Sequence, residues 1–363
     1  MKRLLFASGG SGGHLAPAIA LAQRCGQETG VESWIGTTRK QVDLRMQRSY
    51  PTLRFVCFDA KPLTGNPLQR IRAAMVTLWG TFRAFHFLYH QRCEAVIATG
   101  GFGCVPVLIA ALCTGRPYFL HESNAVPGKV TRLFHCFSKR TFVTQLMAER
   151  GQVARGSTRI TGFPIRQDLR FLNKSDAKHQ WGFDADQPLV GILGGSQGAR
   201  ALTQAAQEWV KQGLPDGIQL ICIVGPQAET QEYNCGDAGN QRVQWVPFVE
   251  DMGCFLSAVD LLIARSGAGS IAEIAQAGCA TLLVPLPGAA DDHQRANARA
   301  FADGGCAKIL EQHALSNLPQ RVLALLNDNE SLEGMQKAMQ EWSARDRIDA
   351  MLMEWKWNAE REI

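Results

Sequence analysis

The sequence predicts an α/β fold built from two doubly wound parallel sheets. Short apolar segments alternate with helical ones along the chain, which is typical of parallel strands connected by helices. In addition, the strands Leu4–Ala7 and Leu189–Leu193 each run into a glycine-rich loop that precedes a helix. A chain of 363 residues is comfortable for two domains, so these two similar starts indicate two Rossmann-like domains.

The predicted strands follow the apolar segments in chain order. They cover Lys2–Ala7, Glu94–Thr99, Pro117–His121, Arg140–Val143, Pro188–Leu193, Gln219–Val224, Asp260–Ala264 and Thr281–Pro285. Helices lie between them, as over Ala201–Lys211. We expect an N-terminal domain over 1–162, a C-terminal domain over 163–340, and a helix over 341–363 that packs across the domain junction.

Composition and charge exclude several classes of protein. A chain with 46% hydrophobic and 20% charged residues is globular rather than disordered. Its longest apolar stretches fall short of the ~18 residues of a membrane-spanning helix, and the basic start Lys2-Arg3 lacks the apolar run of a signal peptide. Eleven cysteines without a CxxC pair indicate reduced thiols. The net charge of +5 does not predict a nucleic-acid partner.

Three glycine-rich loops are candidates for anion binding. Loops 9–13, 194–198 and 265–270 each join a strand to a helix, where backbone N–H groups can approach a phosphate. None matches the dinucleotide or P-loop fingerprint, so each is also compatible with a plain tight turn. In the third loop, Ser270 and Glu273 could hold a diphosphate and a ribose, or could form a capping box that starts the helix.

Other polar residues have two interpretations. His14 follows the first glycine loop and is either a general base or a capping and packing residue. The segment His121–Asn124 ends a strand and either lines a ligand crevice or forms a solvated loop. Asp184-Ala185-Asp186 has the form of a metal motif, but its position before a strand favours a turn. No cluster has metal-ligand spacing, so we expect no metal and no cofactor.

Eight segments, in order along nearly the whole chain, carry a resemblance to a known family. They are Gly9–His14 with Pro17, Thr99–Phe102 with Pro106, His121–Asn124, Thr161–Arg166, Gly194–Arg200, Phe248–Met252, Arg265–Glu273, and Asp292–Gln294 with Asn297-Ala298. Together they resemble the MurG family of glycosyltransferases. One such segment is a weak signal, but eight in register are specific.

The resemblance implies a GT-B architecture, in which two Rossmann-like domains face a cleft. It implies transfer of N-acetylglucosamine from UDP-N-acetylglucosamine to lipid I, an undecaprenyl-pyrophosphoryl-muramyl-pentapeptide, giving lipid II for peptidoglycan. The C-terminal domain would hold the donor through Val249 (uracil), Glu273 (ribose), Gln294 (sugar) and Arg166 (phosphates). The other donor-binding positions carried over are Ser11, Gly12, Gly13, Asn124, Ser196, Ala268, Gly269, Ser270, Ile271 and Ala272.

The resemblance also implies an inverting reaction without a bridging metal. His14 is the first choice for the base that takes the acceptor proton, and Glu122 is the second. The chain departs from the family at Phe163, where asparagine is usual, and at Gly103-Cys104, where a polar pair is usual. Two alternatives stay open: a related transferase with another lipid acceptor, such as diacylglycerol, and a non-catalytic subunit that binds a sugar nucleotide.

One amphipathic segment has a bearing on membrane association. Its apolar residues recur every three or four positions and are most simply explained as core: Leu68, Ile71, Met75, Leu78, Phe82, Phe85 and Tyr89. Beside this stripe, basic and aromatic residues suit an anionic membrane surface: Trp79, Phe87, Arg70, Arg72, Arg83, His86 and His90. With the resemblance, this predicts a peripheral protein at the cytoplasmic face of the inner membrane.

Overall fold

The computed structural model describes residues 2–27, 30–149, 158–194, 199–225 and 242–345, together with Ile348, Met351 and Glu354. The chain divides into two compact units, residues 1–167 with 345–363 and residues 168–344. The chain passes from the first unit to the second after Gln167, a few residues beyond the glycine and proline at 162–164. The expected C-terminal helix over 341–363 falls largely outside the described residues.

The first unit contains a parallel sheet of seven strands in the order β3-β2-β1-β4-β5-β6-β7. The strands are β1 Lys2–Ala7, β2 Val31–Thr37, β3 Phe55–Cys57, β4 Ala95–Ala98, β5 Tyr118–Glu122, β6 Arg140–Val143 and β7 Thr158–Ile160. The central strand β1 is apolar on both sides because helices cover both faces of the sheet, and Leu5 and Phe6 are fully buried in separate clusters.

The second unit repeats this arrangement with six parallel strands in the order β10-β9-β8-β11-β12-β13. They are β8 Leu189–Leu193, β9 Gln219–Ile223, β10 Val243–Val246, β11 Leu261–Ala264, β12 Thr281–Leu283 and β13 Lys308–Ile309. Both sheets therefore have the strand order of a Rossmann fold. The predicted α/β class is confirmed.

Helices connect the strands of both units. In the first unit they are α1 Gly12–Gly26, α2 Gln41–Ser49, α3 Pro67–His90, α4 Val105–Cys113, α5 Lys129–Phe134 and α6 Gln145–Glu149. In the second they are α7 Lys174–Gln180, α8 Arg200–Gln212, α9 Met252–Ala258, α10 Ala268–Ala277, α11 His293–Asp303, α12 Leu318–Leu326 and α13 Asn329–Ser343. Within the part of the chain that the structure describes, every helix is too short or too polar to cross a bilayer.

Helix α3 corrects one expectation. Its stripe of large apolar residues is exposed rather than part of the core, with Leu68 76%, Leu78 71% and Tyr89 66% accessible. The helix instead buries a face of mostly small residues: Ala73, Gly80, Ala84 and Leu88. A Cβ at Gly80 would lie 2.1 Å from the carbonyl oxygen of Asp59, so the backbones approach too closely there for larger side chains.

The described C-terminal residues pack on the first unit. Ile348 and Met351 lie in the cluster beneath β1, and Glu354 forms ion pairs with Arg140 and Arg159. The chain therefore returns to its first unit after completing the second.

The aspartate pair at 184–186 forms a turn, as predicted. Asp186 N donates to Asp184 Oδ1 (2.9 Å), and Asp184 N donates to Gln219 Oε1 (2.8 Å). The pair therefore belongs to the turn that precedes β8.

Candidate active site

The strand order of each sheet reverses at one point, and two of the predicted glycine loops, at 9–13 and 265–270, follow β1 and β11 at those points. The reversals lie between β1 and β4 in the first sheet and between β8 and β11 in the second. Loops at the carboxyl ends of strands on either side of a reversal leave a crevice that commonly binds a ligand.

The first glycine loop, residues 9–13, is held by the buried carboxylate of Asp43. Gly9 and Gly10 have φ of +134° and +90°, a conformation that favours glycine. Asp43 is fully buried and accepts hydrogen bonds from the N–H groups of Gly10 (3.2 Å) and Thr38 (3.0 Å). The loop is thus fixed before α1 begins, with Ser11 as the N-cap residue.

The start of α1 exposes backbone donors. Ser11 makes no side-chain capping bond, and the first N–H groups of a helix have no acceptor within the helix. A Cβ at Gly13 would meet nothing within 4 Å, so there is open space beside the backbone. Gly12 and Gly13 therefore present N–H groups that an anion or a sugar hydroxyl can reach.

His14 stands in the first turn of α1 and is packed against a second glycine pair. A Cβ at Gly100 would lie 2.8 Å from His14 Cδ2, and one at Gly101 would lie 3.0 Å from His14 Nδ1. Thr99 Oγ1 also donates to the backbone oxygen of His14 (2.8 Å). The glycines after β4 are thus the residues that leave room for the imidazole.

The imidazole of His14 is oriented by Ser11. The Ser11 Oγ and His14 Nδ1 atoms are 2.8 Å apart. In the tautomer whose Nδ1–H donates to this hydroxyl, Nε2 keeps its lone pair and can accept a proton. The arrangement suits a general base, and it places Ser11 as the residue that orients it.

Glu122, the second candidate for the base, is surrounded by donors. Its Oε1 accepts from Asn124 N (3.0 Å) and Asn124 Nδ2 (3.2 Å), and its Oε2 accepts from Gly128 N (2.9 Å) and Thr131 Oγ1 (2.6 Å). Glu122 as a whole residue is 5% exposed. This geometry fits a residue that shapes the loop after β5 and orients the Asn124 amide.

His121 is buried below the same loop. Its Nε2 lies 3.0 Å from the oxygen of Gly162, and its Nδ1 lies 3.4 Å from Ser123 Oγ. Burial lowers the pKa of this histidine, so the neutral form is favoured. Phe163 packs edge-on against the ring. The aromatic residue that replaces the usual asparagine is therefore a packing partner of His121.

Arg166 belongs to the first unit rather than to the second. Its Nη1 donates to the hydroxyl of Tyr50 (2.8 Å), which is the C-cap residue of α2. The sequence placed Arg166 in the C-terminal domain, whereas both Arg166 and Tyr50 lie in the first unit.

In the second unit, α10 starts at the reversal point without a side-chain cap. Gly267 is the N-cap residue, so Ser270 and Glu273 lie inside the first two turns and do not form the capping box that the sequence also allowed. Ile271 N is bonded to the Gly267 oxygen, while the N–H groups of Ala268, Gly269 and Ser270 precede the first helical bond. The helix thus offers an anion site with Glu273 one turn further on.

The loop before α10 is built on buried polar contacts. Arg265 donates from Nη1 to the Val284 oxygen (3.0 Å) and from Nη2 to Gln312 Oε1 (2.6 Å). Asn297 is fully buried and donates from Nδ2 to the Ser266 oxygen (3.1 Å). These bonds fix the Arg265 side chain and the Ser266 carbonyl group just before α10 begins.

Gln294 bonds to two loops of the second unit, the one that follows β11 and the one that follows β12. Its Oε1 accepts from Leu286 N (3.0 Å), and its backbone oxygen accepts from Ser266 Oγ (2.8 Å). Immediately before it, Asp291 and Asp292 have φ of +53° and +51°. Two successive non-glycine residues in this region are strained, and such strain is concentrated at ligand sites.

Of two further predicted positions, Val249 and Ser196, the structure describes only Val249. Val249 is buried in the loop between β10 and α9, where Asp251 caps α9 by accepting from Cys254 N (2.9 Å). Ser196 lies outside the described residues, as does most of the loop 194–198.

Sequence reasoning missed Asp43, and it named Arg265 and Asn297 only as parts of the segments that carry the resemblance, without a supporting role. Asp43 and Asn297 bond to glycine loops that lie about thirty residues away along the chain. The available signal was the occurrence of Asp43 and Asn297 within otherwise amphipathic helices, where a polar residue on the buried face needs a partner.

Comparisons with known proteins agree with this geometry. Residues 4–143 match the N-terminal domain of glycosyltransferase family 28, and residues 189–351 match its C-terminal domain. A relative from Synechococcus sp. (strain RCC307) is 37% identical over 315 residues, covering 86% of this chain and 84% of its own. One from Opitutus terrae is 33% identical over 359 residues, covering 97% and 94%. Both are named UDP-N-acetylglucosamine--N-acetylmuramyl-(pentapeptide) pyrophosphoryl-undecaprenol N-acetylglucosamine transferase.

A solved structure gives the same result. The crystal structure of Acinetobacter baumannii MurG superposes with a TM-score of 0.71 at 26% identity, covering 96% of each chain. The expected glycosyltransferase class is thereby confirmed. The chain belongs to the MurG family of glycosyltransferases, within glycosyltransferase family 28.

Proposed function

We propose that this enzyme transfers N-acetylglucosamine from UDP-N-acetylglucosamine to the muramyl 4-hydroxyl of lipid I, which yields lipid II. The names of its relatives support these substrates. The observation that carries the proposal is the His14–Ser11 pair at the glycine loop of the first reversal point. An oriented imidazole beside open helix N–H groups suits activation of a hydroxyl close to a phosphate.

The second unit holds the donor in this proposal. The N–H groups at the start of α10 bind the diphosphate, since a helix N-terminus stabilises negative charge. Glu273 accepts hydrogen bonds from the ribose hydroxyls, and the backbone at Val249 pairs with the uracil. The amide oxygen of Gln294 accepts a hydrogen bond from Leu286 N. In this proposal the NH₂ group of Gln294 donates to a hydroxyl of the sugar. Ser196 completes the diphosphate site.

The chemistry is a single displacement. His14 Nε2 takes the proton of the muramyl 4-hydroxyl while that oxygen bonds to the anomeric carbon from the face opposite UDP. The bond to the diphosphate breaks, its electrons leave with UDP, and the α-linked donor gives a β-linked product. Helix N-termini and Arg166 stabilise the charge of the leaving group.

Glu122 has a supporting role in the proposed reaction. With four donors on its two oxygens, it holds Asn124 toward the crevice. The exposed N–H groups of Gly12 and Gly13, together with Ser11, complete the acceptor side of the site.

We also propose that α3 docks the enzyme on the cytoplasmic face of the inner membrane. Its stripe of large apolar residues is exposed along the whole helix, with Trp79 and Phe82 stacked beside each other. Exposed apolar residues next to basic ones suit the headgroup region of an anionic bilayer. Docking of this kind brings the enzyme to its lipid-linked acceptor.

A comparison of acceptors tests the proposal. UDP-N-acetylglucosamine labelled in the sugar is incubated with a lipid I analogue or with diacylglycerol, and lipid products are separated and counted. We expect label in the lipid I product alone. Label in diacylglycerol would assign a different acceptor, and UDP binding without any labelled lipid would indicate a non-catalytic binding subunit.

A further inference from the structure

The short segment that follows β13 binds two arginines that belong to different parts of the second unit. Glu311 Oε2 accepts from Nη2 of Arg295, which lies in the first turn of α11 (2.9 Å). Gln312 Oε1 accepts from Nη2 of Arg265, which lies in the loop between β11 and α10 (2.6 Å). Two adjacent residues therefore tie the start of α11 to the loop that leads into α10.

Further bonds close a ring through the same elements. Ser266, which immediately follows Arg265, donates from Oγ to the backbone oxygen of Gln294 (2.8 Å). Gln294 immediately precedes Arg295. The first turn of α11 is thus bonded to the loop before α10 directly, and a second time through the segment after β13.

The position of Arg295 is not explained by the stability of its helix. The first turn of α11 contains no acidic residue, and a cation there faces the positive end of the helix dipole. The Arg295 side chain is 36% exposed and that of Glu311 is 31% exposed, and ion pairs with such exposure add little to overall stability. A role in fixing the first turn of α11 accounts better for the pair.

Arg295 also holds the strained backbone before α11. Asp291 and Asp292 both have positive φ, and such a conformation persists only where the surrounding structure holds it. The N-cap residue Asp292 makes no side-chain capping bond, and its Oδ2 instead lies 3.6 Å from Arg295 Nη1. Gln294 therefore lies between two residues that are joined to each other and, through Arg295, to Glu311.

We propose that Arg295 and Glu311 are positioning residues for the sugar of the donor, which act through Gln294 without touching the substrate. The inference rests on the proposed function, in which Gln294 donates to a hydroxyl of N-acetylglucosamine. The ion pair holds the start of α11 in place, so the Gln294 amide loses less conformational freedom when the sugar binds. UDP alone lacks the sugar, and its affinity does not depend on the pair.

A double-mutant cycle on the full chain tests this inference. Calorimetry measures the affinities for UDP-N-acetylglucosamine and for UDP in Arg295→Gln, Glu311→Gln, Gln294→Ala and the double variant of Arg295→Gln with Gln294→Ala. The matched control is Arg299→Gln, which removes the same charge from an exposed position one turn further along α11. Thermal unfolding of each variant checks that it is folded.

The expected losses concern the sugar alone. Gln294→Ala should weaken the binding of UDP-N-acetylglucosamine by roughly 10-fold, the effect of one lost hydrogen bond. Arg295→Gln and Glu311→Gln should each weaken it by roughly 5-fold and leave the binding of UDP unchanged. These two substitutions change the net charge in opposite directions, so a shared loss does not come from overall charge.

The double variant should bind as Gln294→Ala does, because Arg295 then has no amide left to position. The control should bind both ligands as the wild type does. Losses that add in the double variant, or equal losses for UDP and UDP-N-acetylglucosamine in Arg295→Gln, would show that the pair does not act through Gln294.

Failure of the inference and failure of the proposed function give different results. Wild-type affinity in Arg295→Gln beside a loss in Gln294→Ala would reject the positioning role and leave the proposed function intact. Unchanged binding in Gln294→Ala would remove the sugar role of Gln294 and the inference with it. A wild type that does not bind UDP-N-acetylglucosamine would reject the proposed function itself.

Discussion

His14 and Glu122 were both candidates for the base, and their hydrogen bonds differ in kind. Ser11 engages the Nδ1 atom of the imidazole, and in the tautomer whose Nδ1–H donates to Ser11 the Nε2 atom is the basic nitrogen. Both oxygens of the Glu122 carboxylate already accept bonds from four donors. The two residues therefore call for different experiments.

Replacement of His14 by alanine should remove transfer and spare donor binding. Loss of a general base lowers the rate by roughly 10²–10⁴-fold. The rate is measured with a lipid I analogue, and UDP binding is measured by calorimetry on the same preparation. Ser11→Ala, which removes only the orienting hydroxyl, should cause a smaller loss. Weaker UDP binding and a lower Tm in His14→Ala would mean that His14 is structural.

Glu122→Gln should destabilise the fold. The new NH₂ group would face N–H or O–H donors, which leaves buried donors without an acceptor at a cost of about 1–3 kcal/mol in the free energy of unfolding. Urea denaturation measures this, with the exposed Glu333→Gln on α13 as a control. Unchanged stability together with lost transfer would instead identify Glu122 as the base.

Glu273→Ala should weaken the binding of the UDP-sugar donor. Loss of its hydrogen bonds to the ribose is expected to cost about 1–3 kcal/mol of UDP binding free energy. Calorimetric titration with UDP measures the change, and Gln276→Ala on the exposed side of the same helix should leave it unaltered. An unchanged affinity in Glu273→Ala would remove this residue from the ribose site.

Among the elements, α3 shows how the two faces of a helix can be misassigned from sequence. Its periodic large apolar residues predict a buried face, yet they are exposed, and the buried face consists mostly of Ala73, Gly80 and Ala84. Periodicity indicates that a helix has an apolar face, but it does not tell what covers that face. The close approach at Gly80 depends on Asp59 of the preceding loop, which the local pattern does not contain.

This assignment predicts opposite results for two leucines of α3. Leu88→Ala should cost about 2–5 kcal/mol in the free energy of unfolding, because Leu88 is fully buried. Leu78→Ala should stay within about 0.5 kcal/mol, because Leu78 is 71% exposed. Urea denaturation of the two variants compares them directly. A large loss of stability in Leu78→Ala would place the stripe in a core after all.

Among the described strands, strand prediction failed at the four edge strands and at β2, which lies inside the first sheet. The predicted boundaries of Lys2–Ala7 and Arg140–Val143 agree with β1 and β6 to the residue. Five other strands were not predicted, including β2, where Glu32 and Ser33 interrupt the apolar run, and β13, which has two residues. Central strands are apolar on both faces and so stand out, whereas edge strands do not.

At the scale of the whole molecule, the two units could be predicted from their glycine loops. The buried residues that hold these loops in place could not be predicted. A strand followed by a glycine loop and a helix is a local pattern, so His14 and the start of α10 could be located. Asp43 and Asn297 act on loops that are distant in sequence, and only the folded chain brings them together.

Stability should depend on pH below about 6.5, the ordinary pKa of a histidine. Burial lowers the pKa of His121, so as the pH falls through that value the unfolded chain takes up a proton before the folded chain does. Stability is therefore expected to fall as the pH is lowered, by at most about 1.4 kcal/mol per pH unit. Thermal unfolding at pH 7.5 and 5.5 measures the loss, and His121→Gln should reduce it.

Carboxylates act in a lower window. The hydrogen bond from Arg54 lowers the pKa of Glu32 below 4.5, so the stabilisation by Glu32 is lost only as the pH falls below that value. A pH dependence that is the same in His121→Gln and in the wild type between pH 7.5 and 5.5 would contradict the assignment to His121.

The central claim is that the enzyme joins N-acetylglucosamine to lipid I by a single displacement. The most direct measurement is transfer from UDP-N-acetylglucosamine to a soluble lipid I analogue, with the anomeric configuration of the product read from its proton NMR coupling constant. The account predicts a β-linked disaccharide and one UDP released for each disaccharide formed. An α-linked product, or UDP release without a disaccharide, would contradict it.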